Sequence, residues 1–144
     1  MSKLNLNSDN KIVKTHGFFN KKRAKNIIPL SPIQQYVHDE ITSLIPKGTS
    51  DQKAVDLGCH WGRYTATLAE TYGDVIGIDY AEKAIKSAIH KDNIVYEVID
   101  LDQNSDVIAK HSPVDLYIAV ALFEMLNNPT QLCNSMYNLS LIHI

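Results

Sequence analysis

Apolar residues along this chain change their spacing several times, and each change marks an element. From Ser31 to Ile45 they recur as Ile33, Val37, Ile41, Leu44 and Ile45, the period of a helix with one face meant for burial. Ser31 suits the N-cap, Pro32 the first helical position and Gln34 the far corner of a capping box. Pro46, Gly48, Thr49 and Ser50 then stop the helix with turn chemistry. Beyond them, short apolar runs alternate with helical stretches. The runs predict strands over 54–57, 75–78, 94–99 and 114–120, and the stretches predict helices over 63–72 and 81–90 with a short one near 106–110. Ala81, Ala84, Ile85, Ala88 and Ile89 share one face of the second of these. A last helix starts with Asn128 as cap and Pro129 at its first position, and turns Leu132, Met136 and Leu139 inward.

Strands that are nearly continuous in apolar residues are buried on both faces, and strands joined by crossover helices run parallel. The pattern therefore predicts an α/β three-layer sandwich around a parallel sheet. The 144 residues allow one domain with its own core. In such a sheet, ligands bind in the crevice beyond the carboxyl ends of the strands, so the residues following each strand carry the chemistry.

Composition adds little until charge is divided along the chain. Apolar residues at 44% and charged residues at 21% describe an ordinary globular protein. The net charge of −2 conceals a basic arm over residues 1–30, where Lys3, Lys11, Lys14, Lys21, Lys22, Arg23 and Lys25 face Asp9 alone. Such an arm either steers a polyanion such as RNA or is a solvated tail. Phe18 and Phe19 beside it either stack on a base or dock on the domain. Two cysteines are too few for a disulfide framework, and no stretch approaches the length of a membrane span, so a cytoplasmic location is expected.

The candidate chemistry follows the strands. After the first comes Asp56-Leu57-Gly58-Cys59-His60-Trp61-Gly62-Arg63, a glycine turn leading into a helix. Glycines there allow a sharp turn and close approach to a ligand, and free N–H groups at a helix start attract an anionic group. The second strand ends in Asp79, then Tyr80. An acid about 20 residues past the glycines suits a ribose, whose two hydroxyls it can accept together. The third strand ends at Asp100, Leu101 and Asp102. Trp61 fits either shielding a ligand or packing on the helix. The six histidines and two cysteines have no metal-ligand spacing, so no metal site is expected.

From Ala54 to Leu139 these motifs together resemble the class I S-adenosylmethionine-dependent methyltransferases. Val55 to Gly62 is similar to the family's first motif, Asp79 to its ribose-binding acid, Asp100 to its adenine-contacting acid, and Asp115 to Leu126 to its fourth-strand motif. The resemblance implies a Rossmann-like fold with S-adenosylmethionine as cofactor, and the transfer of a methyl group to an acceptor, expected to be a small molecule at oxygen, carbon or amine. It implies that the loop of Gly58, Cys59, His60 and Gly62 passes beneath the methionine part, with Asp56 among the cofactor-binding residues. By the same resemblance Asp79 holds the ribose, Tyr80 packs on the adenine, Asp100 and Leu101 read its edge, and Ala119 lies near the sulfonium. His60 stands where the family has a second glycine, and Met125 where many small-molecule members have a histidine. No catalytic base is assigned.

The family's sheet resembles seven strands, of which four are present in this sequence, so the sheet is expected to be incomplete and the outer edge of the fourth strand unpaired. Residues 139–144 read as the translation of a transposon end used in sequencing libraries. The expectation is a gene fragment with a basic arm over 1–30, a methyltransferase portion over 31–144 and a non-native tail over 139–144. Two other readings share some of these features. A nicotinamide-dependent oxidoreductase would need G-x-G-x-x-G, which Gly58 and Gly62 do not form. A non-catalytic module binding S-adenosylmethionine or RNA would use the arm from Lys21 to Lys25.

Overall fold

In the computed structural model, which describes residues 29–139, helix α1 (Pro32–Leu44) leads into β1 (Lys53–Leu57), α2 (Arg63–Leu68), β2 (Asp74–Asp79), α3 (Glu82–Ile85) and β3 (Ile94–Val98). A 3-10 helix (Ser105–His111), β4 (Leu116–Ala119), a 3-10 turn (Phe123–Met125) and α4 (Pro129–Leu139) follow. The expected basic arm, apart from Pro29 and Leu30, and residues 140–144 lie outside the described residues.

All pairings of the four-stranded sheet are parallel, in the order β3-β2-β1-β4. Leu57 pairs with both Ile78 and Ala119, and Asp79 with Val98, so the carboxyl ends of all four strands finish at nearly one level. β1 sits inside the sheet because it is apolar on both faces. Val55 and Leu57 pack with Ile76, Ile78, Ile108 and Leu132 beneath α4 and the 3-10 helix, while Ala54 joins Val75, Leu68 and Tyr72 beneath α2. Burying a side chain of this size contributes roughly 1.5–3 kcal/mol, enough for these two clusters to hold the layers together. This is the three-layer arrangement that the pattern predicts and the Rossmann-like fold that the resemblance implies, with β4 at the sheet's edge among the described residues.

Two helices are shorter than their sequence periods suggest. The stretch predicted over 81–90 is α-helical only from Glu82 to Ile85. Its later backbone groups have partners elsewhere, since Ile89 N–H donates to Trp61 O at 3.1 Å and Ile89 O accepts from Tyr96 Oη at 2.7 Å. The stretch over 63–72 is helical to Leu68 and then turns. Asn93 Nδ2 donates to Ala69 O at 3.0 Å and Tyr72 O at 2.9 Å, satisfying carbonyls that a longer helix would have used itself.

α1 forms as predicted, with the reciprocal Ser31–Gln34 capping box and Pro32 in its first turn. The burial expected of its apolar face does not occur. Ile33 is 73% exposed and Leu44 81%, and no residue of the helix is fully buried. The helix meets the domain instead through the His38 ring stacked on Tyr64, with centroids 4.8 Å apart, and through Ile45 beyond its end. These contacts leave an open groove along the helix rather than a packed seam.

Candidate functional site

Three of the five residues that carry the chain from β1 into α2 adopt left-handed backbone. Gly58 has φ 78°, His60 49° and Gly62 74°, a region that costs glycine nothing and other residues about 1–2 kcal/mol. Gly62 has a second constraint, because a Cβ there would run into the Tyr96 hydroxyl. The Tyr96 ring also occupies the space where Gly77 has no side chain, 2.6 Å from where a Cβ would lie. Sequence reasoning missed Tyr96. Its signal appears only when the register pairs it with Gly77.

Several N–H groups of this loop are engaged within the chain, before the helix start expected to offer free donors. Gly58 and Cys59 both donate to Ile78 O, at 2.8 and 3.0 Å, and His60 N–H donates to Asp79 Oδ2 at 2.9 Å. The loop must be tied to β2 to hold its strained turn, and its donors are used in doing so. What it offers the cleft is bare backbone at Gly58.

A cleft of about 240 Å³ opens above the sheet, lined by residues from the carboxyl ends of all four strands. Of the residues singled out from sequence, Gly58, His60, Asp79, Tyr80, Asp100 and Leu101 line it. Asp56, Cys59, Gly62 and Ala119 do not. Ala119 packs in the core on the α4 side, and the cleft begins one residue later at Val120. Strand alternation puts Asp56 and Asp79 on one face, since Asp56 pairs with Gly77, two residues before Asp79.

Those two acids have different surroundings. Asp56 lies beneath the loop, 2% exposed, with Thr65 Oγ1 donating to its Oδ2 at 2.6 Å. Burial pushes its carboxyl up to about 7, the Thr65 hydrogen bond opposes the rise, and the charge of Asp79 adds to it. The buried Cys59 thiol is raised well above its ordinary range, first by burial and then by the two acids, so it is protonated and unreactive. Asp79 instead faces the cleft. Each of its oxygens accepts one backbone N–H, from His60 at 2.9 Å and Ala81 at 2.7 Å, and each keeps a lone pair for another donor. Tyr80 lines the cleft beside it, its phenol pushed up to about 12 by burial and by Asp79 and Asp100. Trp61 packs with Ala81 and Ala84, and does not line the cleft.

The far wall depends on a residue to which the sequence assigned no role. Asp102 Oδ1 accepts from Asn127 N–H at 2.8 Å and Asn128 N–H at 3.3 Å, and its Oδ2 accepts from Asn127 Nδ2 at 2.9 Å. This joins the segment after β3 to the start of α4 and holds Met125 and Leu126 against the cleft. Among the described residues, no three His, Cys, Asp or Glu side chains gather as a metal site, and no helix is long and apolar enough to cross a membrane.

A family model described as a methyltransferase domain matches residues 54–140, more than half of the chain. The chain belongs to this methyltransferase-domain family. Solved structures of methyltransferases share its fold. Phosphoethanolamine N-methyltransferase 1 of Haemonchus contortus, in complex with phosphoethanolamine and S-adenosylhomocysteine, is 25% identical at a TM-score of 0.65, over 90% of this chain and 28% of that one. NodS, an N-methyltransferase of Bradyrhizobium japonicum in complex with S-adenosylhomocysteine, is 18% identical at 0.59, over 89% and 65%. An S-adenosylmethionine-dependent methyltransferase of Anabaena variabilis is 18% identical at 0.60, over 89% and 56%. This methyltransferase domain thus spans less than two-thirds of the length of each. No curated protein matches it.

Proposed function

We propose that the cleft binds S-adenosylmethionine and that the domain serves methyl transfer to a small-molecule acceptor. The observation carrying this reading is that Gly58, Asp79, Tyr80, Asp100 and Leu101, drawn from the ends of three strands, line one cleft. Its chemistry suits the cofactor. A Cβ on Gly58 would press on Leu122 at 3.1 Å, so the missing side chain leaves room between two cleft walls. The free lone pairs of Asp79 suit a ribose diol, and the apolar Ile99, Leu122 and Leu126 suit a flat base. Asp100 and Leu101 stand at the end of β3, where they would read the edge of that base. When bound, S-adenosylmethionine supplies an activated methyl group on a sulfonium. The chain's own part is to orient the cofactor and exclude water, which in-line displacement chiefly requires.

Calorimetry with S-adenosylhomocysteine tests the reading. Micromolar binding to the intact chain is expected, with a loss of at least about 30-fold, about 2 kcal/mol, in Asp79→Ala, the scale of losing charge-assisted hydrogen bonds. Binding of NADH in place of S-adenosylhomocysteine would overturn it.

A further inference from the structure

Charge is unevenly distributed around the cleft. Asp79, Asp100 and Asp102 bring three carboxyl groups to its lining, and the segment from the end of β4 adds apolar side chains, Val120, Leu122 and Leu126 among them. Among the described residues of this lining, His60 is the sole basic side chain. S-adenosylmethionine carries two positive groups, a sulfonium and an ammonium, which the acids suit, and one carboxylate, which they repel. A carboxylate drawn out of water needs donors or a positive charge beside it. We infer that the imidazole of His60, in its protonated form, receives the carboxylate of the cofactor's amino-acid tail. The inference rests on the reading of the cleft as the cofactor site.

The way His60 is built into the loop supports this role. It takes left-handed backbone at φ 49°, where glycine would carry no strain, and such strain in other residues gathers at functional sites. Its N–H is tied to Asp79 Oδ2 at 2.9 Å, and its ring lies tilted against Trp61 with centroids 4.5 Å apart. Trp61 is itself packed on Ala81 and Ala84, so the half-buried ring is held at the cleft from behind. The other ionisable groups on this side are acids, a phenol and a thiol: Asp79 and Tyr80 at the end of β2, Asp100 and Asp102 after β3, and the buried Asp56 and Cys59 beneath the loop. Arg63, at the start of α2, lines the open groove along α1 together with Glu124, and does not line the cleft. A carboxylate entering the cleft therefore has one cationic side chain to meet.

The test is calorimetry of the full chain with S-adenosylhomocysteine and with S-adenosyl-3-thiopropylamine, which keeps the adenosine, the sulfur and the amine and lacks only the carboxylate. At pH 5.5 the intact chain should prefer S-adenosylhomocysteine by about tenfold or more, the scale of a charge-assisted hydrogen bond. That preference should fall at least about threefold by pH 8, as imidazole gives up its proton over this range. Asp56 lies outside the cleft, so its own titration acts on both ligands and cancels in their ratio. His60→Gly suits the left-handed backbone and should melt no lower, yet at pH 5.5 it should weaken S-adenosylhomocysteine about tenfold and leave the carboxyl-free probe within about twofold. Should the glycine loosen the loop, His60→Asn keeps a donor without a charge, and its preference should be reduced and constant with pH. Arg63→Gln should leave the preference as it is. Three outcomes overturn the inference: His60→Gly weakening both ligands alike, a preference in the intact chain that stays flat from pH 5.5 to 8, or a preference lost in Arg63→Gln and kept in His60→Gly. Failure of both ligands to bind defeats the cofactor reading instead, whereas equal binding of the two defeats this inference alone.

Discussion

Thr65 Oγ1 donates to Asp56 Oδ2 at 2.6 Å beneath the glycine loop, where Thr65 is 0% and Asp56 2% exposed. Burial, the largest influence, raises the acid to about 7 from an ordinary 3.8. The folded chain therefore keeps a proton that the unfolded chain releases over this window. The stabilisation is fully present below about pH 4 and is lost as pH rises toward 7. Asp56→Asn holds the neutral form at every pH. Urea denaturation should show wild-type stability falling between pH 4 and 7.5 relative to the variant, by on the order of a few kcal/mol. Parallel pH profiles for the two would contradict the buried acid's raised affinity for its proton.

Asp102 holds the cleft's far wall from a half-buried position, through three hydrogen bonds to Asn127 and Asn128. Charge-assisted bonds of this kind are worth about 1.5–3 kcal/mol, less where water competes. Asp102→Ala should lower stability by about 1–2 kcal/mol and weaken S-adenosylhomocysteine several-fold as Met125 and Leu126 lose their anchor, while Asp102→Asn should do less of both. Thermal melts and calorimetry together check this. A stability loss with affinity untouched would separate the clamp from the site.

Gly62 and Tyr96 share one space. Gly62→Ala adds a Cβ where the hydroxyl lies and forces left-handed backbone on alanine, so a loss above about 2 kcal/mol is expected. Tyr96→Phe removes the 2.7 Å bond to Ile89 O and the hydroxyl's contact with Thr65, and should cost about 1–2 kcal/mol. In the double variant, the loss should be smaller than the sum of the two, as read from chemical denaturation.

Ala121 carries its left-handed φ of 54° at an exposed position between cleft and groove. Ala121→Gly should leave stability unchanged or slightly higher, since strain relief offsets the added freedom of the unfolded chain. Ala121→Val should destabilise by about 1–2 kcal/mol, because a branched side chain is disfavoured there. Equal melting temperatures for the two variants would argue against this backbone geometry.

Much of this architecture was legible in order. The runs around Val55, Ile76, Val95 and Tyr117 became parallel strands, and Asp79 and Asp100 reached the rim because the first ends β2 and the second lies two residues past β3. Asp56 resembled them in sequence but lies two residues before Gly58, below the rim, which turns it into a buried partner of Thr65. Tyr96 carried no local signal, and Asp102 was legible only as an acid at the end of the third strand and not as a clamp, since their partners lie at Ile89 across a turn and at Asn127 in another element.

What the sequence determined by itself were the periods and the turns: which stretches extend, which coil, and where glycine lets the chain reverse. These depend on neighbours within a few positions, so a single chain read in order contains them. Tertiary structure decided how far each helix runs, which acid faces water, and whether the apolar side of α1 is covered. Those outcomes turn on competition for hydrogen-bond partners and for space between residues far apart in the chain, as when Ile89 turns from its helix to Trp61 and Tyr96.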